Sequence, residues 1–250
     1  MSALSNYKSR YRVLGYPVDL VNKSEALRII EEAWQANKGL SVITLNAEMV
    51  IAAQSDIRLD RIIRHSHLIV PDGAGVVFAL KLAGHHAVRV PGIELASAAL
   101  DKASMLGVRV ALVGGQKNVL DRLLNVLPQI YPGLNIVFSH DGYFSDEDEE
   151  DLLTGLAKTS PQLILLALGV PKQEYLLDSW RSSLPQTVSM GVGGSFDIWA
   201  GEKQRAPEAF QKLHLEWLFR LIREPWRFKR MASTLPKFAF QVVAWHLSKK

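Results

Sequence analysis

The residues able to do chemistry gather where short aliphatic runs end. They occur in Thr44-Leu45-Asn46-Ala47-Glu48, Pro71-Asp72-Gly73-Ala74-Gly75, Gly114-Gly115, Gly169-Val170-Pro171-Lys172-Gln173-Glu174 and Gly191-Val192-Gly193-Gly194-Ser195-Phe196-Asp197. In Pro71-Asp72-Gly73 a carboxylate is ringed by small residues. A substrate hydroxyl can approach Asp72 and give up its proton as it becomes a nucleophile. Taken alone, an Asp-Gly pair is more often a plain turn. Thr44 and Asn46 offer neutral hydrogen bonds suited to sugar hydroxyls or an acetamido group, and the same residue types cap a helix starting near Glu48. Gly114-Gly115 and Gly193-Gly194 allow close backbone approach and present N–H groups to an anion. Each pair by itself is also an ordinary tight turn. Gly169, Gln173 and Asp197 belong to the same set of ends, with Gln173 and Glu174 equally suited to the first turn of a helix. Arg89, on the loop before Val90-Pro91-Gly92, requires a phosphate or carboxylate partner, or water alone.

Several chemistries are disfavoured. There is no Gly-x-Gly-x-x-Gly with a following acidic residue and no Gly-x-x-x-x-Gly-Lys-Ser/Thr, which argues against ordinary dinucleotide and P-loop functions. The chain has no cysteine, so thiolate chemistry and disulfides are excluded. The carboxylates from Asp146 to Asp151 suit a helix start better than a metal, and His85-His86 lacks a third ligand at a recognisable spacing. The expectation is metal-free catalysis without a cofactor. Any departing diphosphate would then be met by arginines and helix N-termini.

The elements that must position these residues alternate along the chain. Strands are predicted at Ser41–Asn46, His67–Pro71, Arg109–Gly114, Asn135–Ser139, Gln162–Gly169 and Thr187–Gly191. Helices are predicted between them, at Glu25–Asn37 with Ser24 as its cap, at Ile93–Leu106, at Lys117–Ile130 and after Ser145. The pattern implies an α/β fold: a Rossmann-like, mostly parallel sheet with helices on both faces and a C-terminal helical appendage. Ligands of such sheets bind beyond the carboxyl ends of the strands. The alternation stops near Pro207, which divides the chain into a 1–206 α/β core and a 207–250 appendage of two helical segments broken at Glu224-Pro225.

The 250 residues, 48% hydrophobic, describe a globular chain, and no apolar run is long enough to span a bilayer. Met1 to Arg10 is polar, without the apolar stretch of a signal peptide. A cytoplasmic protein, or one resting on the inner face of the cell membrane, is expected. The whole-chain charge is +4, yet residues 217–250 hold eight basic residues and one acidic, a net +7, leaving −3 on the remainder. Arg220, Arg227 and Arg230 fall within one broad helical face, interrupted by Pro225. Trp217, Trp226 and Trp245 lie among them. A basic, aromatic-rich amphipathic segment reads as a membrane-surface element. Core packing and a homo-oligomer interface are the other uses open to it, and no nucleic-acid signature accompanies it.

Six motifs occur in order from Thr44 to Arg230: Thr-x-Asn-x-Glu, Pro-Asp-Gly-x-Gly-Val, Arg-Val-Pro-Gly, Gly-x-Pro-Lys-Gln-Glu, Gly-Val-Gly-Gly-Ser-Phe-Asp and Leu-Glu-Trp-Leu-Phe-Arg-Leu-x-x-Glu-Pro-x-Arg-x-x-Arg, within a resemblance that runs from about Val13. In these the chain resembles the WecG/TagA/CpsF glycosyltransferases. The resemblance implies an inverting, metal-independent transferase. It would move a sugar, with N-acetylmannosamine the best-known case, from a UDP-sugar donor to a polyprenyl-diphosphate-linked sugar. By the same resemblance Asp72 matches the proposed base and Thr44 a residue near the donor sugar needed for activity. Arg89 and Gln173 match polar pocket residues, and Arg220, Arg227 and Arg230 match appendage arginines that close over the donor diphosphate and aid membrane association. A family member using another UDP-sugar, a nucleotide-dependent oxidoreductase and a catalytically silent membrane scaffold are the alternatives.

Overall fold

The computed structural model describes residues 9–212 and 215–248. It opens on an antiparallel hairpin, β1 (Arg10–Val13) and β2 (Tyr16–Asp19), followed by helix α1 (Lys23–Gln35) and strand β3 (Leu40–Leu45). Helices α2 (Ala47–Ala53) and α3 (Ile57–His65) lead to β4 (Leu68–Pro71), and α4 (Ala74–Leu82) and α5 (Gly92–Leu106) lead to β5 (Arg109–Gly114). Then come α6 (Lys117–Ile130), β6 (Asn135–His140), α7 (Glu149–Lys158), β7 (Leu163–Ala167), α8 (Lys172–Ser179), β8 (Val188–Gly191) and the short α9 (Ser195–Trp199). The C-terminal segment forms α10 (Glu208–Lys212), α11 (Glu216–Arg223), a single 3-10 turn at Pro225–Arg227 and α12 (Phe228–Leu247).

Strands β3 to β8 form one parallel sheet in the order β4-β3-β8-β7-β5-β6. All six strands expected from the sequence are present, within two residues at each end. Alternate residues divide between the two faces, as the two-residue strand period requires. Val42, Val70, Val110, Leu112 and Leu165 pack under α1, α5 and α6, whereas Ile43, Leu45, Ile69, Ala111 and Ile164 pack under α2–α4 or α7–α8. The buried runs are almost wholly aliphatic because both faces are covered.

The departures from expectation are local. Asn22, not Ser24, caps α1: its Oδ1 accepts from the Glu25 N–H at 3.0 Å while the Glu25 carboxylate accepts from the Asn22 N–H at 2.8 Å. Ser145 closes a turn with Asp148, its hydroxyl donating to Oδ2 at 2.6 Å, and the helix begins four residues later than Ser145, at Glu149. The β1–β2 hairpin lies outside the alternating pattern. Its buried Asp19 accepts from Arg10 Nε at 2.7 Å and from the Ile69 N–H at 2.8 Å, fastening the hairpin to β4.

The appendage breaks at Glu224-Pro225, and among the described residues it holds three α-helices, α10 preceding the two segments expected. It is also bound into the core. Phe238 and Val242 of α12 are buried with Met49, Val50 and Val76 in the cluster beneath α2 and α4. Trp245 meets Tyr11 of the hairpin edge-on at 6.1 Å. The outward face of the same segments carries exposed Trp226, Phe228, Phe240, Val243 and Leu247. Of the uses open to this amphipathic tail, core packing is realised by Phe238 and Val242, and the exposed apolar residues lie elsewhere on the same segments.

Candidate active site

The sheet order puts the five strand ends of interest side by side. β4, β3, β8, β7 and β5 are consecutive, so the Asp72, Thr44, Gly193, Gly169 and Gly114 segments line one edge. Only the outer strand β6 brings none of the motifs.

The Asp72 turn is stitched to its neighbours by backbone hydrogen bonds. The N–H groups of Asp72 and Gly73 both donate to the Leu45 carbonyl, at 3.0 and 3.3 Å, and the Val90 N–H donates to Pro71 O at 2.9 Å. Gly73 is needed for packing: a Cβ there would stand 2.9 Å from Cβ of Asn46. Thr44 is half-buried on the Val42 face, beneath the start of α5, where a Cβ on Gly92 would meet its Cγ2 at 3.1 Å. Asn46 performs the capping role, its Oδ1 accepting from the Met49 N–H at 3.0 Å. That leaves its amide NH2 as the group it can offer a ligand.

The central strand ends are braced from within. Gln173 is 3% exposed, and its Oε1 accepts from the N–H groups of both Gly169 and Gly193 at 3.1 Å. One side chain thus holds the β7 and β8 loops at a fixed separation. Its Nε2 donates to Glu174 at 2.8 Å. Gln173, expected to line the pocket, is in this structure a buried clamp on these two loops. Glu174 is equally buried, with Oε2 lacking a hydrogen-bond partner, and burial pushes its carboxyl up to about 7 against the opposing bond from Gln173. Gly114, at φ +122°, lies so close to β7 that a Cβ would come within 2.4 Å of the Ala167 carbonyl. The Gly115 N–H donates to that same carbonyl at 3.0 Å. Gly194 precedes α9, and Asp197 on α9 pairs with Lys203 at 3.4 Å.

Arg89 does have carboxylate partners. Its Nε donates to the Asp72 backbone carbonyl, and its Nη2 lies 3.4 Å from Asp72 Oδ1 and 2.6 Å from Glu216 Oε2. Burial opposes the Arg89 charge, but the facing Asp72 and Glu216 carboxylates outweigh it and hold the guanidinium above its ordinary range. Glu216 Oε1 lies 3.4 Å from Arg205, which pairs with Glu94 at 2.5 Å, and Glu94 also meets Lys23 at 3.3 Å. Burial would raise the Glu94 carboxyl; the bonds from Arg205 and Lys23 overcome it and hold it low. Lys203 adds a second tie, joining Asp197 to Glu224 at 3.1 Å.

These core-to-appendage ion pairs were not singled out from the sequence, although a signal exists. Glu216 and Glu224 are the two acidic residues after Glu208, in a segment otherwise basic and apolar. Both are buried. A lone acid in a basic amphipathic run is a candidate for an internal partner, since its burial is tolerated only when paired. The side chains of Arg220, Arg227 and Arg230, expected to meet a diphosphate, lie outside the described residues; their backbones fall in α11, the 3-10 turn and α12. Among the described residues no three side chains of metal-ligating type gather, and no helix is long and apolar enough to cross a membrane.

A polar, glycine-lined edge with a carboxylate at one end can bind a sugar nucleotide and deprotonate a hydroxyl. Comparison with known proteins places the chain among glycosyltransferases. The glycosyl transferase WecG/TagA/CpsF family model matches residues 11–250. The chain is 36% identical over 208 residues to the N-acetylglucosaminyldiphosphoundecaprenol N-acetyl-beta-D-mannosaminyltransferase of Bacillus spizizenii strain W23, covering 83% of this chain and 80% of that one. It is 35% identical over 213 residues to the protein of the same name from Bacillus subtilis strain 168, covering 85% and 82%. The match continues through α12, beyond Arg230 where the sequence motifs stop. A strand-end carboxylate, a clamped pair of glycine loops and an ion-paired appendage thus sit within a single matched region, and the chain belongs to the WecG/TagA/CpsF family of glycosyltransferases.

Proposed function

We propose that this glycosyltransferase moves N-acetylmannosamine from its UDP derivative to the N-acetylglucosamine of a polyprenyl-diphosphate lipid, inverting the anomeric carbon, in cell-envelope or exopolysaccharide synthesis. The relatives' names supply the sugars of this reading. The observation that carries the chemistry is the position of Asp72 at the end of β4, next to Thr44 on β3, at the rim of the glycine-lined edge. Asp72 takes the proton of the acceptor hydroxyl. The hydroxyl oxygen bonds to the anomeric carbon from the face opposite the nucleotide, and the C–O bond to the diphosphate breaks with its electron pair leaving on UDP. Thr44 and the Asn46 amide orient the donor sugar. The Gly114-Gly115 and Gly193-Gly194 loops, with Arg220, Arg227 and Arg230, meet the diphosphate charge, so no step requires a metal.

The lipid acceptor brings the reaction to a membrane surface. The exposed face of the appendage, with Trp226, Phe228, Phe240 and Leu247 among basic residues, suits an interface on the cytoplasmic leaflet. A screen of UDP-sugars against polyprenyl-diphosphate N-acetylglucosamine, with chelator present and products read by mass spectrometry and anomeric NMR, tests the reading. The expected product is one N-acetylhexosamine longer, formed from UDP-N-acetylmannosamine with inversion. Transfer only from another donor overturns the sugar assignment, retention overturns the single-displacement step, and chelator-sensitive transfer overturns metal independence.

A further inference from the structure

Arg89 serves two carboxylates unequally. Its Nε is fixed on the Asp72 backbone carbonyl, which holds the base of the guanidinium against the turn. From there Nη2 reaches Glu216 at 2.6 Å but the Asp72 carboxylate only at 3.4 Å. Glu216 is itself held: it is 5% exposed, its other oxygen lies 3.4 Å from Arg205, and Arg205 is anchored on Glu94 of α5. Charged residues on the neighbouring elements include Glu48 of α2, Lys81 of α4, Arg220 and Arg223 of α11, and Lys229, Arg230 and Lys237 of α12, with Lys23 beyond Glu94.

We propose that Glu216 is a positioning residue for the transfer: by drawing the Arg89 guanidinium toward α11 it limits that group's hold on the Asp72 carboxylate and so sets the strength of Asp72 as a base. The proposal rests on the reading of Asp72 as the general base. A carboxylate in a close pair with arginine is a weak proton acceptor, because the cation favours its charged form. A guanidinium shared with a second buried carboxylate exerts less of that pull. The appendage, through Glu216, then acts on the chemistry as well as on the donor.

The test is the pH dependence of kcat/KM for Glu216→Gln, which keeps the side-chain shape and removes the charge. Arg89 is expected to close on Asp72, moving the acid limb down by about one pH unit. Plateau kcat should fall ~3-fold as the base weakens, with the UDP dissociation constant little changed. Glu216→Asp, whose carboxylate is withdrawn by one methylene, should show a smaller downward shift. A merely structural role would lower the melting temperature and leave the limb in place. An unmoved or raised limb in the folded Gln variant overturns the proposal; should that variant fail to fold, an unmoved limb in the Asp variant does so. Asp72→Asn measured alongside separates the two readings. If it retains turnover, the base assignment fails. If it loses turnover while the Glu216 variants keep the limb in place, only the role of Glu216 fails.

Discussion

Arg89 Nη2 and Glu216 Oε2 lie 2.6 Å apart, so the loop before α5 and the first turn of α11 are ion-paired beside the Asp72 turn. Core and appendage are joined at the candidate base, and that relationship organises the behaviour expected of the variants.

Asp72→Asn keeps the turn's backbone bonds to Leu45 and removes the proton acceptor together with its charge facing Arg89. Turnover should drop by ~100-fold or more, while UDP binding by calorimetry stays nearly intact. Undiminished turnover would falsify the assignment of Asp72 as base.

Arg89→Met should act on both stability and activity. It leaves the Asp72 and Glu216 carboxylates without their shared cation in a largely buried setting. A loss of about 3 kcal/mol is expected in denaturant unfolding, together with weaker protection of α11 in hydrogen exchange. Protection of α11 equal to wild type would show that Glu216 does not hold the appendage.

Glu174 gives a pH signature. Its folded carboxyl lies near 7, above the ordinary value of 4.5. The folded state therefore binds more protons than the unfolded state between those values, and stability declines as pH rises from about 4.5 through 7. Glu174→Gln keeps an acceptor for Gln173 and removes the charge. The variant should gain roughly 3 kcal/mol over wild type at pH 8, with little difference at pH 4. Equal pH dependence of the two proteins in urea titrations would rule out Glu174 as the source.

Phe238→Ala tests whether the tail is part of the core. The ring is buried over α2 and α4, against Gly75. Its truncation should cost about 3 kcal/mol or more in a single cooperative transition. A separate, early transition of the tail would instead show that α12 unfolds independently of the sheet.

The six parallel strands were legible because each is a short aliphatic run closed by glycine or a polar turn, and two-sided burial demands that composition. Helices α5 and α6 were equally clear, since their apolar spacing matches one buried face. The β1–β2 hairpin was not: four-residue strands carry little periodicity, and Asp19 is buried there only because Arg10 and the Ile69 N–H satisfy it. Asn22 outcompeted Ser24 as a cap because Glu25 completes a reciprocal pair with it. Gln173 could be located in a strand-end motif, but its orientation depends on two loops from different strands, one of them 20 residues further along the chain.

By itself the sequence determined the chemical inventory and the layering of this protein. Asp72, Thr44 and the glycine pairs fall at strand ends because local patterning puts the ends there, and the basic charge of the tail follows from composition alone. The tertiary structure decided which ends are neighbours and which charges are spent on one another. Strand order made five separate turns into one edge. Long-range ion pairing set Arg89 between Asp72 and Glu216, 127 residues apart for the second pair. Periodicity reports the face that a residue occupies, whereas the partner of a buried charge is chosen by desolvation, which only the packed chain imposes.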